Sequence, residues 1–282
     1  MNILITGANG QLGNEMRILS AQHPQHTYFF TDVEELDITS REAVKQFVTD
    51  NTIDIIVNCA AYTNVDKAEN DEDIAHKINA LAVENLGLSG AHVIHVSTDY
   101  VFSGDACIPY SETDTVAPRT AYGRTKREGE KLLQAVSNKA IIFRTAWLYS
   151  TFGNNFVKTM LRLGNERESL GVVFDQIGTP TYAADLANAI FTAINAPEWH
   201  PGVYHFTNEG VCSWYDFTHE IFQLAGITGC QLRPILSSEY HYQTPRPHFS
   251  VLNKAKVKQT FGISIPHWTE ALKVCLGRLL NQ

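Results

Sequence analysis

A glycine-rich turn directly after a short apolar segment most restricts how this 282-residue chain can fold. Residues 2–6 are mainly apolar, glycines follow at positions 7, 10 and 13, and a helix-like segment begins near Glu15. A strand that turns through glycines into a helix brings backbone amides and a positive helix end to one point, where a phosphate can bind. The position of the turn therefore predicts a nucleotide-binding unit, with a tight turn that binds nothing as the alternative.

Apolar strands and amphipathic helices alternate through the first half of the chain. Further strands are predicted over residues 27–32, 54–59, 92–96 and 138–144, and helices over residues 41–51, 72–88 and from 121 onward. Each strand is too apolar to be half exposed, which indicates a parallel sheet covered on both faces by helices. The predicted fold class is α/β, with a Rossmann-type doubly wound parallel sheet.

Several polar or small residues follow the predicted strands directly. Gly7, Asp32, Ala61 and Thr98 all fall at carboxyl ends of strands, where doubly wound sheets bind their ligands. Asp32 lies about twenty residues beyond the glycines, where a carboxylate can accept hydrogen bonds from an adenosine ribose. Asp32 could equally be a loop residue, because the segment that follows it is acidic throughout.

Tyr122 and Lys126 form a pair with helical spacing. Residues four apart stand on one face of a helix, one turn from each other. A phenol has a pKa of about 10, and a nearby cation lowers that pKa, so the pair is a plausible proton donor and acceptor. Such pairs are also common on solvated helices, and this one does not identify a site by itself.

Composition excludes some classes of partner. The formal charge of -8 argues against a nucleic-acid or anionic membrane surface, but it does not exclude an anionic small ligand, which needs only local positive charge. No apolar run is long enough for a membrane span, and no signal peptide is apparent. The 5 cysteines are scattered without a C-x-x-C pair, which is typical of a reducing compartment. The predicted location is cytoplasmic.

Taken together, the motifs resemble those of extended short-chain dehydrogenases/reductases. The resemblance rests on the glycine turn at 6–13, the strand end at 97–102, and the Tyr122 and Lys126 pair. Residues 57–63, 65–69, 144–147 and 153–156 are most similar to the dTDP-4-dehydrorhamnose reductases within that superfamily. The similarity extends over nearly the whole chain in matching order.

The resemblance implies reduction of the 4-keto group of dTDP-4-dehydro-L-rhamnose to dTDP-L-rhamnose with NADPH or NADH. Tyr122 would protonate the oxygen while hydride reaches the carbonyl carbon, and Thr98 would hydrogen-bond that sugar oxygen. Lys126 would lower the pKa of Tyr122 and hold a ribose hydroxyl of the nicotinamide half. These roles agree with the chemistry, since a carbonyl that gains hydride accumulates negative charge.

The resemblance also implies a set of cofactor contacts. They are Gly7 and Gly13 in the turn, the amides of Gly10, Gln11 and Leu12 at the pyrophosphate, Asp32 at the ribose, Asp37 and Ile38 at the adenine, and Ala61, Tyr62, Thr63, Tyr122 and Lys126 towards the nicotinamide. An acid at Asp32 repels a 2′-phosphate and favours NADH, although the family accepts both cofactors.

The implied substrate contacts are Thr98, Asp99, Trp147, Arg246 and His248. Arg246 and His248 are the candidates for the diphosphate, because a guanidinium can grip phosphate with two hydrogen bonds. Trp147 could instead pack in the core, and Asp99 could cap the following turn.

Some members of the family hold Mg²⁺ with glutamates at a dimer contact. Glu15 matches one of these glutamates, but residues 180–185 contain no second one. The sequence therefore predicts no metal site, with Glu15 as a weak candidate ligand, and the default expectation for Glu15 is a solvated position in the first turn of its helix. The resemblance also allows a homodimer.

The expected organisation has two parts. Residues 1–146 are expected to form an NAD(P)-binding Rossmann domain. Residues 147–282 are expected to form a smaller, partly interleaved substrate-binding portion, with some segments returning to the Rossmann domain.

Two other functions fit the same pattern. One is a related nucleotide-sugar epimerase or reductase with a different deoxysugar. The other is a non-catalytic regulatory protein, since the β subunit of methionine adenosyltransferase resembles the same family. Intact Thr98, Tyr122 and Lys126 favour an enzyme over the regulatory protein.

Overall fold

The computed structural model describes residues 1–281. The strands are β1 Asn2–Thr6, β2 Thr27–Thr31, β3 Ile55–Asn58, β4 His92–Thr98, β5 Ile141–Thr145, β6 Leu148–Tyr149, β7 Ser169–Val173, β8 Ile177–Gly178, β9 Thr181–Tyr182, β10 Gly202–His205, β11 Cys212–Ser213 and β12 Gln231–Ile235. The helices are α1 Gln11–Ser20, α2 Arg41–Asp50, α3 Val65–Ala68, α4 Glu72–His76, α5 Ala82–Gly87, α6 Ala121–Val136, α7 Phe156–Glu166, α8 Ala183–Ile194, α9 Trp214–Ala225, α10 Ala255–Phe261 and α11 Trp268–Leu280.

The central sheet has six parallel strands in the order β2-β1-β3-β4-β5-β10. Side chains alternate between its two faces: Ile3 and Ile5 pack on one face, while Leu4 packs on the other. Helices α1 and α8 cover the first face, and α2, α5 and α6 cover the second. The predicted fold class, an α/β doubly wound parallel sheet, is therefore confirmed.

A third cluster of buried side chains belongs to the second half of the chain. It joins β7 with α7, α9 and α11 through residues such as Val157, Leu170, Phe217 and Leu272. Strand β10 and most of helix α8 instead pack with the central sheet, although Ala184 of α8 also contacts the third cluster. The second half thus contributes to two cores.

The predicted helix over 72–88 contains a π-helical turn at Lys77–Leu81, between α4 and α5. This turn packs against Gly129 of α6. A Cβ at that position would lie 2.0 Å from the Asn79 carbonyl oxygen, so no other residue fits there. The close approach depends on glycine and fixes α6 beside the carboxyl ends of the strands. No helix within residues 1–281 is both long enough and apolar enough to cross a membrane.

Candidate active site

The glycine turn lies where the strand order reverses, between β1 and β3. Gly7 has a φ of 62°, and a Cβ there would stand 2.6 Å from the Ala60 amide nitrogen, so the two strand ends approach too closely for any side chain. Gly10 caps α1 without a side-chain hydrogen bond. The first amides of α1, at Gln11 and Leu12, can therefore donate to an external phosphate.

A groove of about 320 Å³ lies beside this turn. It is lined by Thr6, Gly7, Gly10, Asp32, Val33, Leu36, Asp37, Ile38, Thr39, Cys59, Ala60, Ala61 and Ile78. The structure thus brings together most of the residues expected at the adenosine end of a dinucleotide. Tyr62 and Thr63 are not part of this lining; the Tyr62 hydroxyl donates to Asp71 instead, over 3.0 Å.

Asp32 reaches the groove and also shapes it. Its carboxylate accepts hydrogen bonds from the amides of Asn9, at 3.1 Å, and Val33, at 2.9 Å. These bonds tie the glycine turn to the end of β2. Asp37 is held in a similar way, because hydrogen bonds from Thr39 keep the pKa of its carboxyl below the usual value.

Tyr122 stands in the first turn of α6, which begins after the Thr120 side chain accepts a hydrogen bond from the Gly123 amide. A Cβ on Gly123 would lie 2.3 Å from the Tyr100 carbonyl oxygen, so glycine lets this turn approach the end of β4. The Tyr122 ring meets the Tyr100 ring edge-on, with centroids 5.4 Å apart. Burial raises the pKa of Tyr122 to about 12, against a smaller opposing effect of a hydrogen bond with Thr98.

Lys126 is buried one turn further along α6, with 1% of its surface exposed. Its Nζ donates to the Val96 carbonyl oxygen over 2.7 Å and lies 3.4 Å from Nε2 of His95. Burial lowers the pKa of Lys126 to about 8, opposed by the charge of Glu130. Burial raises the pKa of Tyr122 and Nζ of Lys126 is directed at β4, so the expectation that Lys126 lowers the pKa of Tyr122 stays a prediction.

A cavity of about 730 Å³ opens beside the end of β4. Asp99, Tyr100, Trp147 and Arg246 line it, together with side chains of α7, β7, α9 and β12. Trp147 has a φ of 49°, a left-handed conformation that is rare for a bulky residue, and its ring stacks on Trp214 with centroids 3.5 Å apart. The strained backbone directs an aromatic wall into the cavity, as is common at functional sites.

Asp99 is the acid in this cavity. It is 4% exposed, and one of its oxygens accepts from the Thr98 hydroxyl over 2.9 Å. Burial raises the pKa of Asp99 to about 7. The carboxyl can therefore be either donor or acceptor near neutral pH.

Three arginines line the cavity: Arg167, Arg233 and Arg246. Arg246 is paired with Asp66 at 2.7 Å. Neither Arg167 nor Arg233 forms an ion pair with a carboxylate of the described residues. The sequence pointed to Arg246 but missed the other two, which come from the end of α7 and from a strand, β12, that the pattern did not predict.

The structure does not bring His248 to the cavity. His248 is exposed, its Nδ1 lies 3.4 Å from the Asp175 carbonyl oxygen, and it lines a separate small cleft with Arg119. This cleft adjoins the cavity, because Tyr100, Arg246 and Pro247 line both.

The expectation that Glu15 is solvated is wrong. Glu15 is 1% exposed, accepts from the Ser150 hydroxyl over 2.6 Å and pairs with Arg278 at 2.9 Å. Its place between Leu12 and Leu19 on the buried face of α1 was readable from helical spacing. Both carboxylate oxygens accept hydrogen bonds from Arg278, whose positive charge would repel a cation at this position, and no group of three or more potential ligands lies together within residues 1–281.

Comparisons with known proteins agree with this geometry. A family model described as RmlD substrate binding domain matches residues 1–281. The chain is 42% identical to the dTDP-4-dehydrorhamnose reductase of Escherichia coli (strain K12), over 100% of this chain and 99% of that protein.

Two solved structures are similar throughout. A dTDP-4-dehydrorhamnose reductase from Clostridium acetobutylicum has 44% identity and a TM-score of 0.95, covering 99% of this chain and 100% of that chain. The corresponding reductase from Bacillus anthracis, in complex with NADP, has 39% identity and a TM-score of 0.94, covering 98% of this chain and 99% of that chain.

Proposed function

The chain belongs to the family described as RmlD substrate binding domain, and on this premise we propose that it reduces dTDP-4-dehydro-L-rhamnose to dTDP-L-rhamnose with NADPH or NADH. One observation carries the proposal. Thr98 ends β4, one strand from the groove over β1 and β3, and Tyr122 in the first turn of α6 packs on Tyr100, which lines the cavity. The proposed proton donor therefore lies near both the groove and a cavity that contains arginines.

The groove fits the adenosine half of a nicotinamide dinucleotide. The amides of Gln11 and Leu12 would take the pyrophosphate, since no side chain caps the start of α1. Asp32 would reach the adenosine ribose, and Ile38 would contact the adenine. When bound, the cofactor supplies a hydride to the carbonyl carbon of the sugar.

Tyr122 supplies the proton that completes the reduction. The carbonyl oxygen becomes negative as its carbon gains hydride, and the Tyr122 hydroxyl gives it a proton, so the ketone becomes an alcohol and the cofactor is left oxidised. A pKa of about 12 keeps Tyr122 protonated at neutral pH, which suits a donor. Thr98 would hold the same oxygen, and Lys126 would hold a ribose hydroxyl.

The cavity fits the nucleotide sugar. The diphosphate is the most highly charged part of the substrate, and Arg167 and Arg233 offer guanidinium groups that are free of ion pairs within the described chain. Trp147 and Trp214 would form a flat wall for the sugar or base. Asp99 would contact the sugar beside Thr98.

The remaining features of the proposal follow from composition and packing. Residues 1–146 would bind the cofactor and residues 147–282 mainly the substrate. We place the enzyme in the cytoplasm because all five cysteines are free, and we propose neither nucleic acid nor a membrane as partner because the chain is acidic. A homodimer is compatible with the fold.

The decisive experiment mixes the protein with NADPH or NADH and dTDP-4-dehydro-L-rhamnose, and follows the absorbance of the reduced nicotinamide. We expect rapid loss of absorbance that depends on both ligands. Turnover of only another 4-keto nucleotide sugar would reassign the substrate. Tight binding of NADPH without turnover of any such sugar would instead support a regulatory protein.

A further inference from the structure

Four buried polar side chains form a continuous chain beneath the candidate site. The Thr6 hydroxyl donates to Oδ1 of Asn58 over 2.7 Å, Nδ2 of Asn58 lies 3.0 Å from Nδ1 of His95, and Nε2 of His95 lies 3.4 Å from Nζ of Lys126. Their exposed fractions are 1%, 0%, 0% and 1% in that order. This chain links the glycine turn, three central strands and α6.

The orientation of Asn58 is fixed by its neighbours. The Ala60 amide, which can only donate, points at Oδ1 of Asn58 over 3.2 Å. The amide nitrogen of Asn58 must therefore face His95, and it donates to Nδ1 of the imidazole. A neutral imidazole that accepts at Nδ1 carries its proton on Nε2. Burial, followed by the charge of Lys126, lowers the pKa of His95 well below its usual value, so the ring is neutral.

The Nε2 proton of His95 consequently faces Lys126. An ammonium has only donors, so its N–H groups and the N–H of Nε2 would face each other without an acceptor between them. A neutral amine can instead accept a hydrogen bond from Nε2. Two ionisable side chains within the described residues face Lys126: His95 from β4 and Glu130 from the next turn of α6. Glu130 favours the ammonium, but Arg144, Arg127 and Ser97 already engage its carboxylate.

We propose that His95 is a positioning residue for Lys126: held by Asn58 with its proton on Nε2, it disfavours the ammonium, so that Lys126 exchanges its proton near neutral pH. The inference rests on the proposed function for its catalytic meaning, since Lys126 belongs to the reducing site. The effect of burial on the pKa of Lys126, which falls to about 8, has the same direction. A lysine exposed to solvent would instead stay charged to about pH 10.4.

The first test measures the protonation of Lys126 and His95 in the wild-type protein. With ¹³C-labelled lysine and ¹⁵N-labelled histidine, NMR titration of the full chain gives the pKa of Lys126 and the tautomer of His95, with Lys126→Met and His95→Gln assigning the signals. We expect a Lys126 pKa at least one unit below about 10.4 and a proton on Nε2. A proton on Nδ1 of His95 overturns the proposal, and this readout needs no turnover.

Two variants should then remove the effect of His95 on the pKa of Lys126. In His95→Gln, the side-chain oxygen can accept from Lys126 without adding charge. In Asn58→Asp, a carboxylate replaces the donor to Nδ1, so the imidazole proton moves to Nδ1 and Nε2 becomes an acceptor. Both variants should raise the Lys126 pKa, and with it the alkaline limb of the kcat profile, by about one pH unit.

The matched control is Thr6→Val, which keeps the Ala60 amide on Asn58 and should leave the Lys126 pKa unchanged. A merely structural role of His95 would lower kcat equally at every pH without moving the limb. An unchanged Lys126 pKa in both His95→Gln and Asn58→Asp overturns the proposal. If wild-type protein shows no turnover, the proposed function fails, while the NMR titration still decides the role of His95.

Discussion

The groove over β1 and β3 and the cavity beside β4 are lined by different types of residue. Small and aliphatic residues, together with Asp32 and Asp37, line the groove, and all of them lie between Thr6 and Ile78 in the sequence. Large and charged side chains form the cavity, from segments as far apart as Asp99 and Ser250. The groove therefore suits a group common to many enzymes, a nucleotide, whereas the cavity can be altered residue by residue to suit one sugar.

The difference predicts a separation of effects. Changes in the groove should affect the cofactor alone, and changes in the cavity should affect the nucleotide sugar alone. Tyr122, which lies between them, should affect the chemical step without loss of either ligand.

Tyr122→Phe should give the largest effect. Removal of the proton donor should lower kcat by about 10²- to 10⁴-fold, while NADPH binds as before. Steady-state kinetics and a fluorescence titration of NADPH measure the two quantities. Tyr204→Phe is the control, because its hydroxyl donates to the His200 carbonyl oxygen and the residue lines neither the groove nor the cavity. Near-normal turnover in Tyr122→Phe would refute the assignment of the donor.

Gly7→Ala should weaken binding of the cofactor in the groove. A Cβ at this position would stand 2.6 Å from the Ala60 nitrogen, so the turn must move and its amides lose their alignment. Loss of more than one amide contact to phosphate should weaken cofactor binding on the order of a hundredfold. Calorimetric titration with NADPH measures the effect. Gly90→Ala is the control, because Gly90 also has a positive φ but a Cβ there would meet no neighbouring atom. An equal loss of NADPH affinity in both variants would argue against the glycine turn as the cofactor site.

Arg233→Ala should alter the cavity alone. Loss of a charged hydrogen bond to the diphosphate should raise the KM for the nucleotide sugar by about ten- to a hundredfold, with little change in the KM for NADPH. Initial rates at varied concentrations of each substrate distinguish the two. Arg162→Ala, which removes an exposed arginine paired with Glu166, is the control. An unchanged sugar KM would remove Arg233 from the diphosphate site.

Asp32→Ala should give the smallest effect. Without its negative charge, the 2′-phosphate of NADPH is no longer repelled, and the ratio of kcat/KM values should shift towards NADPH by about tenfold. The ratio is obtained from rates with each cofactor, and the exposed Glu34→Ala is the control. A constant ratio would mean that Asp32 only ties the turn to β2.

The groove was largely readable from the sequence because its determinants are local. The glycines follow β1 at once, and Asp32 ends the next strand, so strand order alone brings them together. The π-helical turn was not readable, since it depends on how closely Gly129 lets α6 approach.

The cavity was only partly readable. Arg233 lies on β12, an exposed strand with a proline that shows no apolar alternation and pairs with the distant β7. Trp147 could be named as a wall of the sugar pocket, but its left-handed backbone and its stacking on Trp214 arise from tertiary contacts. The burial of Glu15, by contrast, could have been predicted from the sequence, because helical spacing places it on the buried face of α1.

The position of β10 has a consequence for synthesis of the protein. β5 ends at Thr145, but its outer neighbour in the sheet begins only at Gly202. During translation, the edge of β5 stays open while the intervening chain is made, and only then can the sixth strand close it. A ribosome that pauses in this interval would expose an unpaired strand edge, so the nascent protein is most dependent on chaperones there.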